Sequence, residues 1–566
     1  MSIYLLLYLV LVFVNLVGGR YGFITLHGAD SLMVMKQTDH VVDIPDNHVA
    51  RASYNNEIFK NGWAYLEVST QAKFTDSQQA HAAGYLEGYL SRDLIWMHWC
   101  NVVQGFCNNR EDLCQMVDAF VDANEEYVLT EAVKHQSEAY WYQVLLFYHQ
   151  LQGLTWGYRN ATRNPDELLT FRDIFWMNMV GDLDDLAFSM ILRTNHSRRD
   201  LDPDPTARLD RCTGLVKLLP DLSNLYTSQT SWNSYNSMLR LQKMYVLNYR
   251  VSAGRPERIP GYQMSFSSYP GLATSLDDIY IISSGLVPAE TTISNGRRAL
   301  YGLIKPVGQI LEFVRSMVAN RLARDGSEWV QIFGQRNSGT YNNQWYIVDY
   351  NKFKPSGYGY PGRVSRGLLW VVEQLPGAIV ADDLTATLLN TSYFASYNMP
   401  HFRRIFELGG GRERVKMYGD WFGQETHPRA KMLKKLQAGI HDTRDMFRVM
   451  RYNDYKHDPL ARCPQCNPPY SACNAVAARN DLNPANGTYP FKALGHRNHG
   501  AIDTKVTSAF LRPWYEYIAV SSPPHNEARG IPPFQWSKFD LGKNVSHIGH
   551  PDKWVFPPVR HRWEWG

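Results

Sequence analysis

Two hydrophobic periods divide this chain. Tyr21-Gly-Phe-Ile-Thr-Leu26 is strand-like, and Glu57-Ile-Phe-Lys-Asn-Gly-Trp-Ala-Tyr-Leu-Glu-Val68 reads as a hairpin turning at Asn61-Gly62. The period then lengthens. Thr75-Asp-Ser-Gln78 opens a helix running towards Trp99, because Thr and a Gln three residues on can satisfy the first orphan N–H groups. Asn109-Arg-Glu-Asp and Asn164-Pro-Asp-Glu open further helices. Residues 75–192 are therefore expected to be mostly helical, with buried aromatics such as Tyr140-Trp-Tyr142.

A polar stretch broken by two prolines follows, Asp200-Leu-Asp-Pro-Asp-Pro-Thr-Ala-Arg-Leu-Asp-Arg211. It gives way abruptly to the apolar run Cys212-Thr-Gly-Leu-Val-Lys-Leu-Leu219. Strands are expected from there: Asn224–Gln229, Tyr262–Phe266, Asp278–Ser283 and Gly367–Glu373. Val330-Gln-Ile-Phe333 and Gln344-Trp-Tyr-Ile-Val348 read as strands flanking the loop Asn337-Ser-Gly-Thr-Tyr-Asn-Asn343. Helices return around Pro400–Leu408 and Pro428–Val449. The tail beyond about 455, rich in Pro, Asn and His, is expected to wrap the surface.

Strands and helices in this order predict an α+β sandwich. The early hairpin needs partner strands, and the later segment supplies them. Residues 20–211 and 212–566 are thus expected to form one integrated domain, preceded by a leader over residues 1–19. That leader is a short apolar run ending in small residues, which predicts secretion with cleavage near Gly18 or Gly19. The alternative is an uncleaved anchor. Five sequons fit the secretory route, at Asn160, Asn195, Asn390, Asn486 and Asn544.

The 566 residues allow a large core, and 44% are apolar. Aromatics reach 13%, which favours broad buried surfaces and an apolar cleft. The net charge of +4 is too small to point to nucleic acid. The seven cysteines are an odd number, and an odd cysteine in a secreted protein points to a reactive thiol. Cys100, Cys107 and Cys114 cluster, as do Cys463, Cys466 and Cys473, and the six are expected to pair locally and leave Cys212 over. Cys463-Pro-Gln-Cys466 is alternatively half a zinc site, with no second half.

A flexible loop that ends at a thiol and opens into a core strand is what an N-terminal nucleophile requires. A cut before Cys212 would free an α-amine with a pKa of roughly 7.7–8.0, able to take the proton of its own residue's thiol. The alternative is a buried cysteine that merely starts a strand. Such a site needs oxyanion donors and a cation. Polar residues set among apolar ones are the candidates: Gln229, Trp232, Thr292, Asn398 in Ser396-Tyr-Asn-Met-Pro-His-Phe402, and Arg429 in His427-Pro-Arg-Ala-Lys431. Otherwise Asn398 is a turn residue and Arg429 a surface charge at a helix start. The chain has no G-x-S-x-G, H-E-x-x-H or P-loop. Gly495-His-Arg-Asn-His499 and His547-Ile-Gly-His550 are read as scattered surface histidines rather than metal ligands. No cofactor is expected.

Several stretches together resemble the phospholipase B-like family, which includes the lamina-ancestor proteins. They are Cys212–Lys217, Thr230-Ser-Trp-Asn-Ser-Tyr235, Phe266-Ser-Ser-Tyr-Pro-Gly271, Leu276-Asp-Asp-Ile-Tyr280 and Ser283-Ser-Gly-Leu286. Further along come Asn337-Ser-Gly-Thr-Tyr-Asn-Asn-Gln-Trp345, Leu369-Trp-Val-Val-Glu-Gln-Leu-Pro376, Met450-Arg-Tyr-Asn-Asp-Tyr455 and Ile502-Asp-Thr-Lys505. The resemblance spans nearly all of the mature chain. It implies an αββα sandwich of the N-terminal nucleophile hydrolase type, cut before Cys212, with both fragments staying together. Asn398 then looks like the oxyanion asparagine of cysteine amidases that cleave penicillin V and bile-acid conjugates, and Arg429 like their active-site arginine. Thr292 is expected as a second oxyanion donor and Trp232 near the cleft. Gln229 stands where many members carry histidine, and glutamine cannot shuttle a proton near neutral pH.

Two functions follow from the resemblance. One is a secreted or lysosomal acyl hydrolase that removes fatty acyl chains from glycerophospholipids or cleaves a linear amide, with transient contact to a membrane surface. The other is a catalytically weak or inactive secreted lipid-binding protein on the same scaffold. Oligomeric state is left open by both.

Overall fold

A computed structural model describes residues 10–12, 20–27, 32–193, 212–276, 279–357 and 359–565. The expected leader cleavage at Gly18 or Gly19, the Asn195 sequon and the 200–211 linker with Arg211 lie outside these residues.

Among the described residues, three sheets form two facing layers. One layer is a six-stranded sheet in the order Tyr393–Ser396, Cys212–Leu218, Leu225–Asn233, Gly500–Ser508, Ile518–Val520, Val559–Arg560. Its pairings are all antiparallel. The other layer begins as an eight-stranded sheet. Its order is Val10–Val12, Leu32–Thr38, Tyr21–His27, His48–Glu57, Trp63–Thr70, Arg240–Val246, Gln263–Ser268, Tyr280–Ile282. It continues through a bridge between Ile279 and Ala289 into a four-stranded sheet of Leu286–Thr292, Asn343–Asp349, Leu369–Leu375 and Ala378–Asp383. Trp63–Thr70 pairs in parallel with Arg240–Val246, so strands from before and after the 200–211 linker lie side by side.

Side-chain alternation explains the layering. Trp63 and Tyr65 point between the sheets, where they join Val216, Leu218, Ile281, Val287, Tyr346 and Val348 in one buried cluster. Ala64, Leu66 and Val68 point outward, beneath the helices Asp76–Leu90 and Ala139–Ala161. The opposite face of the six-stranded sheet places Leu215 and Val506 against Met432, Leu433 and Met446, from the helices Pro428–Leu436 and Thr443–Met450. The result is an α+β fold in αββα order. Strands buried on both faces read as apolar runs, which is why they were visible in sequence.

The helix from Asp76 starts as its sequence predicts. Thr75 Oγ1 accepts from Gln78 N at 3.3 Å and Gln78 Oε1 from Thr75 N at 3.1 Å. It lies in backbone contact with Ala139–Ala161. A Cβ on Gly84 would sit 1.9 Å from Gln150 O, and one on Gly157 equally close to Tyr85 O.

Five local readings need correction. The 57–68 hairpin has its first arm earlier, at His48–Glu57, and Ile58–Asn61 forms a helical turn closed by left-handed Gly62. Asn164 caps only the short turn Pro165–Glu167, and the α-helix waits for the stronger box of Thr170 and Asp173. Val330–Phe333 ends a helix, Gly326–Phe333, capped by Asp325; a four-residue apolar run has no period of its own. The tail does not only wrap the surface, for Gly500–Ser508 is a wholly buried interior strand. The cysteines pair as Cys107–Cys114 and Cys463–Cys466. Each cluster holds three, so pairing within it leaves one over, Cys100 in the first and Cys473 in the second.

Candidate active site

Cys212 is the first residue of its strand and is 0% exposed. Its register sets the site. Cys212 lies opposite Ser231, which lies opposite Asp503 on the next strand. One row deeper, Ser396, Gly214, Gln229 and Lys505 stand in line across four strands. Directly opposed residues share a face, so both rows look into the space between the sheets. Gly214 is required there, since a Cβ would fall 2.4 Å from Tyr346 Oη. The Tyr346 hydroxyl donates to Ser228 O at 2.9 Å. Burial raises its pKa well above the ordinary value, with smaller contributions from Glu290 and Cys212.

Arg429 ties the site together. It sits at the second position of the Pro428–Leu436 helix, where proline fits the first turn. Nη1 donates to Cys212 O at 2.7 Å and to Thr213 Oγ1 at 3.2 Å, while Nη2 donates to Asn398 Oδ1 at 2.7 Å. The guanidinium also covers the Trp232 ring, 4.3 Å from its centroid. Asn398 has a left-handed backbone (φ 67°), and its N–H donates to Thr291 Oγ1 at 3.2 Å. Arg429 fixes the amide oxygen, which orients Nδ2 to donate to Thr292 O at 2.7 Å. The Thr292 hydroxyl oxygen and Trp232 Nε1 are buried without a hydrogen-bond partner among the described residues.

Gln229 is held at both ends. Nε2 donates to Glu290 O at 3.1 Å, and Oε1 accepts from Ser231 Oγ at 3.2 Å. Behind it runs a buried charge cluster. Lys505 Nζ donates to Ser231 Oγ at 2.5 Å and pairs with Asp503 at 2.6 Å, and Arg240 from the other sheet reaches Asp503 at 3.0 Å. Burial opposes ionisation of Asp503, but Lys505 and Arg240 together hold its carboxyl below the usual range.

The structure thus brings Cys212, Asn398, Arg429, Thr292 and Trp232 into one connected group, with Gln229 one row behind. Sequence reasoning missed the supporting shell. His427 caps the Arg429 helix by accepting from Arg429 N at 3.0 Å through Nδ1. Burial, then Arg429 and Lys431, push its pKa well down, so the ring is neutral with the proton on Nε2. Lys505 and Asp503 had one signal: opposite charges two residues apart in an apolar run, on one face of a strand. Of the sequons, Asn160, Asn390, Asn486 and Asn544 are exposed. Among the described residues no group of three or more His, Cys, Asp or Glu side chains is placed to hold a metal ion. No described helix is long and apolar enough to cross a membrane.

A thiol residue and an amide donor joined through one buried cation form the kind of cluster used in acyl chemistry. Comparison with known proteins bears on its family. The family profile described as Phospholipase B matches residues 50–561. The mouse protein named "Putative phospholipase B-like 2" is 43% identical over 524 residues, covering 91% of this chain and 85% of its own length. Its human namesake is 42% identical over 522 residues, covering 91% and 86%. Among solved structures, penicillin V acylase from Agrobacterium tumefaciens aligns with a TM-score of 0.29 and 11% identity, over 60% of this chain and 94% of its own, too distant to bear on the site. On the profile match and these identities, the chain belongs to the phospholipase B family.

Proposed function

We propose that this protein is a secreted or lysosomal acyl hydrolase whose nucleophile is Cys212, freed by cleavage of its own Arg211–Cys212 bond. One observation carries the reading: Arg429 joins Cys212 O and Asn398 Oδ1, each at 2.7 Å. The thiol residue, a fixed cation and an amide donor therefore share one buried corner.

Maturation and turnover use the same atoms. The Cys212 sulfur attacks the Arg211 carbonyl carbon. The Arg211–Cys212 C–N bond breaks, the nitrogen keeps the electron pair and takes the thiol proton, and the acyl group passes to sulfur. Water then opens the thioester, leaving the Arg211 carboxylate and a new α-amine on Cys212. In turnover that amine accepts the thiol proton, and the thiolate adds to the substrate acyl carbon. We assign the developing oxyanion to Asn398 Nδ2, with the Thr292 hydroxyl as second donor. The leaving group departs with a proton, and water releases the acid from the acyl-enzyme.

The family description supports a fatty acyl chain on a glycerophospholipid as substrate, with a linear amide open to the same chemistry. A lipid substrate entails transient contact with a membrane surface. The apolar leader and the exposed sequons support the secretory route. A denaturing gel with N-terminal sequencing tests the reading. Wild type should resolve into two fragments, the second starting at Cys212, and Cys212→Ala should remain whole with no acid released from phospholipid vesicles. A wild type that stays whole from pH 5 to 8 would sink it.

A second reading, a weak or inactive lipid-binding protein, draws on Gln229, which takes the place expected of a histidine and is hydrogen-bonded through both its nitrogen and its oxygen. Acid release that depends on Cys212 would exclude it.

A further inference from the structure

The Leu369–Leu375 strand carries a buried carboxyl with no role in the chemistry above, Glu373. It faces N–H donors rather than a cation, and no ion pair to it occurs among the described residues. Oε1 accepts from His401 N and from Gln344 Nε2, and Oε2 accepts from Phe402 N at 3.2 Å. Gln344, its cross-strand partner, also donates to Met399 O at 3.2 Å and accepts from Ser396 Oγ at 2.6 Å. The Ser396 hydroxyl lies 2.7 Å from Thr291 Oγ1, the atom that accepts the Asn398 N–H. Glu373 and Gln344 therefore grip the 396–402 segment on both sides of Asn398.

We propose that Glu373 is a positioning residue: it anchors the turn that presents Asn398 to the reacting carbonyl oxygen. The inference rests on the reading of Asn398 given above. Its physical need is plain. Asn398 adopts a left-handed backbone, which asparagine tolerates better than other non-glycine residues but which its neighbours must still hold in one place. The following Met399-Pro400 cannot supply all the restraint, since proline has no N–H to donate. The next two N–H groups, of His401 and Phe402, are the ones Glu373 takes. A glutamate side chain carries an acceptor oxygen at both positions, where glutamine has one acceptor and one donor.

Glu373→Gln is the direct test. Whichever way the amide is turned, one of the two backbone N–H groups meets another donor. The expected result is a fall in kcat of about tenfold or more with KM little changed, as for a donor moved off its target. Amide exchange across 397–402 should quicken by a similar factor, while exchange in Leu369–Leu375 holds. The double variant Glu373→Gln with Gln344→Glu keeps the cross-strand pair but moves the carboxylate from the His401 and Phe402 N–H groups to the Met399 carbonyl, and it should not restore kcat. Recovery in that double variant, or an unchanged kcat in Glu373→Gln, would overturn the proposal. If Glu373→Gln does not fold, wild-type exchange still decides: slow exchange at His401 and Phe402 supports the anchor, and exchange at open-loop rates refutes it. Absence of wild-type turnover would instead count against the hydrolase reading, leaving the exchange arm to judge Glu373.

Discussion

The two ends of the Cys212–Leu218 strand face the same inter-sheet space and hold opposite contents. At the far end Val216 and Leu218 pack with Trp63, Tyr65, Tyr346 and Val348. At the near end Cys212 shares its face of the sheet with Ser231, Asp503, Lys505 and Gln229, all fully buried. Gly214 marks the border, where Tyr346 Oη takes the space a side chain would need. Burial stabilises the far end by roughly 25 cal/mol for each Å² of apolar surface removed from water. Charges at the near end must first lose their hydration, and their pairing at best offsets that loss. A sandwich chosen for stability alone would continue the apolar packing to its end. The polar corner therefore marks where folding and chemistry diverge.

The sharpest way to break this comparison is Lys505→Met. It leaves Asp503 facing Arg240 alone and removes the donor to Ser231. Removing one partner of a buried pair costs about 3–5 kcal/mol, so chemical denaturation should show a loss of that size. Adding Asp503→Asn should deepen the loss, because it takes from buried Arg240 the carboxylate that neutralises it. A Lys505→Met protein as stable as wild type would mean that the polar corner carries no desolvation penalty. Next in size is Leu218→Ala at the apolar end. It should cost about 2–5 kcal/mol through lost burial and a residual cavity. Cleavage before Cys212 and turnover per folded molecule should be unaffected, as the Leu218 side chain packs in the apolar cluster between the sheets. A selective loss of turnover would blur the division between the ends.

The division also explains what was legible in sequence. Apolar strands buried on both faces announce themselves, and so did the Cys212, Leu225–Asn233 and Asn343–Asp349 segments. The capping box at Thr75 placed a helix start to the residue. The polar corner hides the same signals. Asp503 and Lys505 make the buried strand Gly500–Ser508 look like surface, because the folded sheet that buries their mutual pair, and Arg240 which joins it at Asp503, lie more than 250 residues away in the chain. Asn398 and Arg429 were nameable from family resemblance, but their bonds to Thr292 and Cys212 depend on which strands are neighbours. The role of Glu373 was equally invisible. It lies in a quoted family stretch, yet its partners at His401 and Phe402 come from a loop that a sequence pattern does not dock.

The smallest effect concerns pH, and it sets the two ends apart by titration. Burial raises the Glu373 carboxyl to about 7, against three hydrogen bonds that pull it down. The raised value means that the folded protein keeps a proton which the unfolded chain has released. Glu373 thus favours the folded state fully below about pH 4.5, and that contribution is lost as pH rises towards 7. Within the window the slope from one such group is at most about 1.4 kcal/mol per pH unit, so between pH 6 and 7 we expect a loss of about 1 kcal/mol. Histidines titrate in the same range, so the measurement is a difference: wild type against Glu373→Gln, unfolded at pH 6 and pH 7. The variant should lose less stability over that interval by about the same 1 kcal/mol. For Leu218→Ala, which trims an apolar cluster, the destabilisation relative to wild type should be equal at both pH values. Parallel pH curves for wild type and Glu373→Gln would show that Glu373 stays ionised throughout, its three donors outweighing its burial.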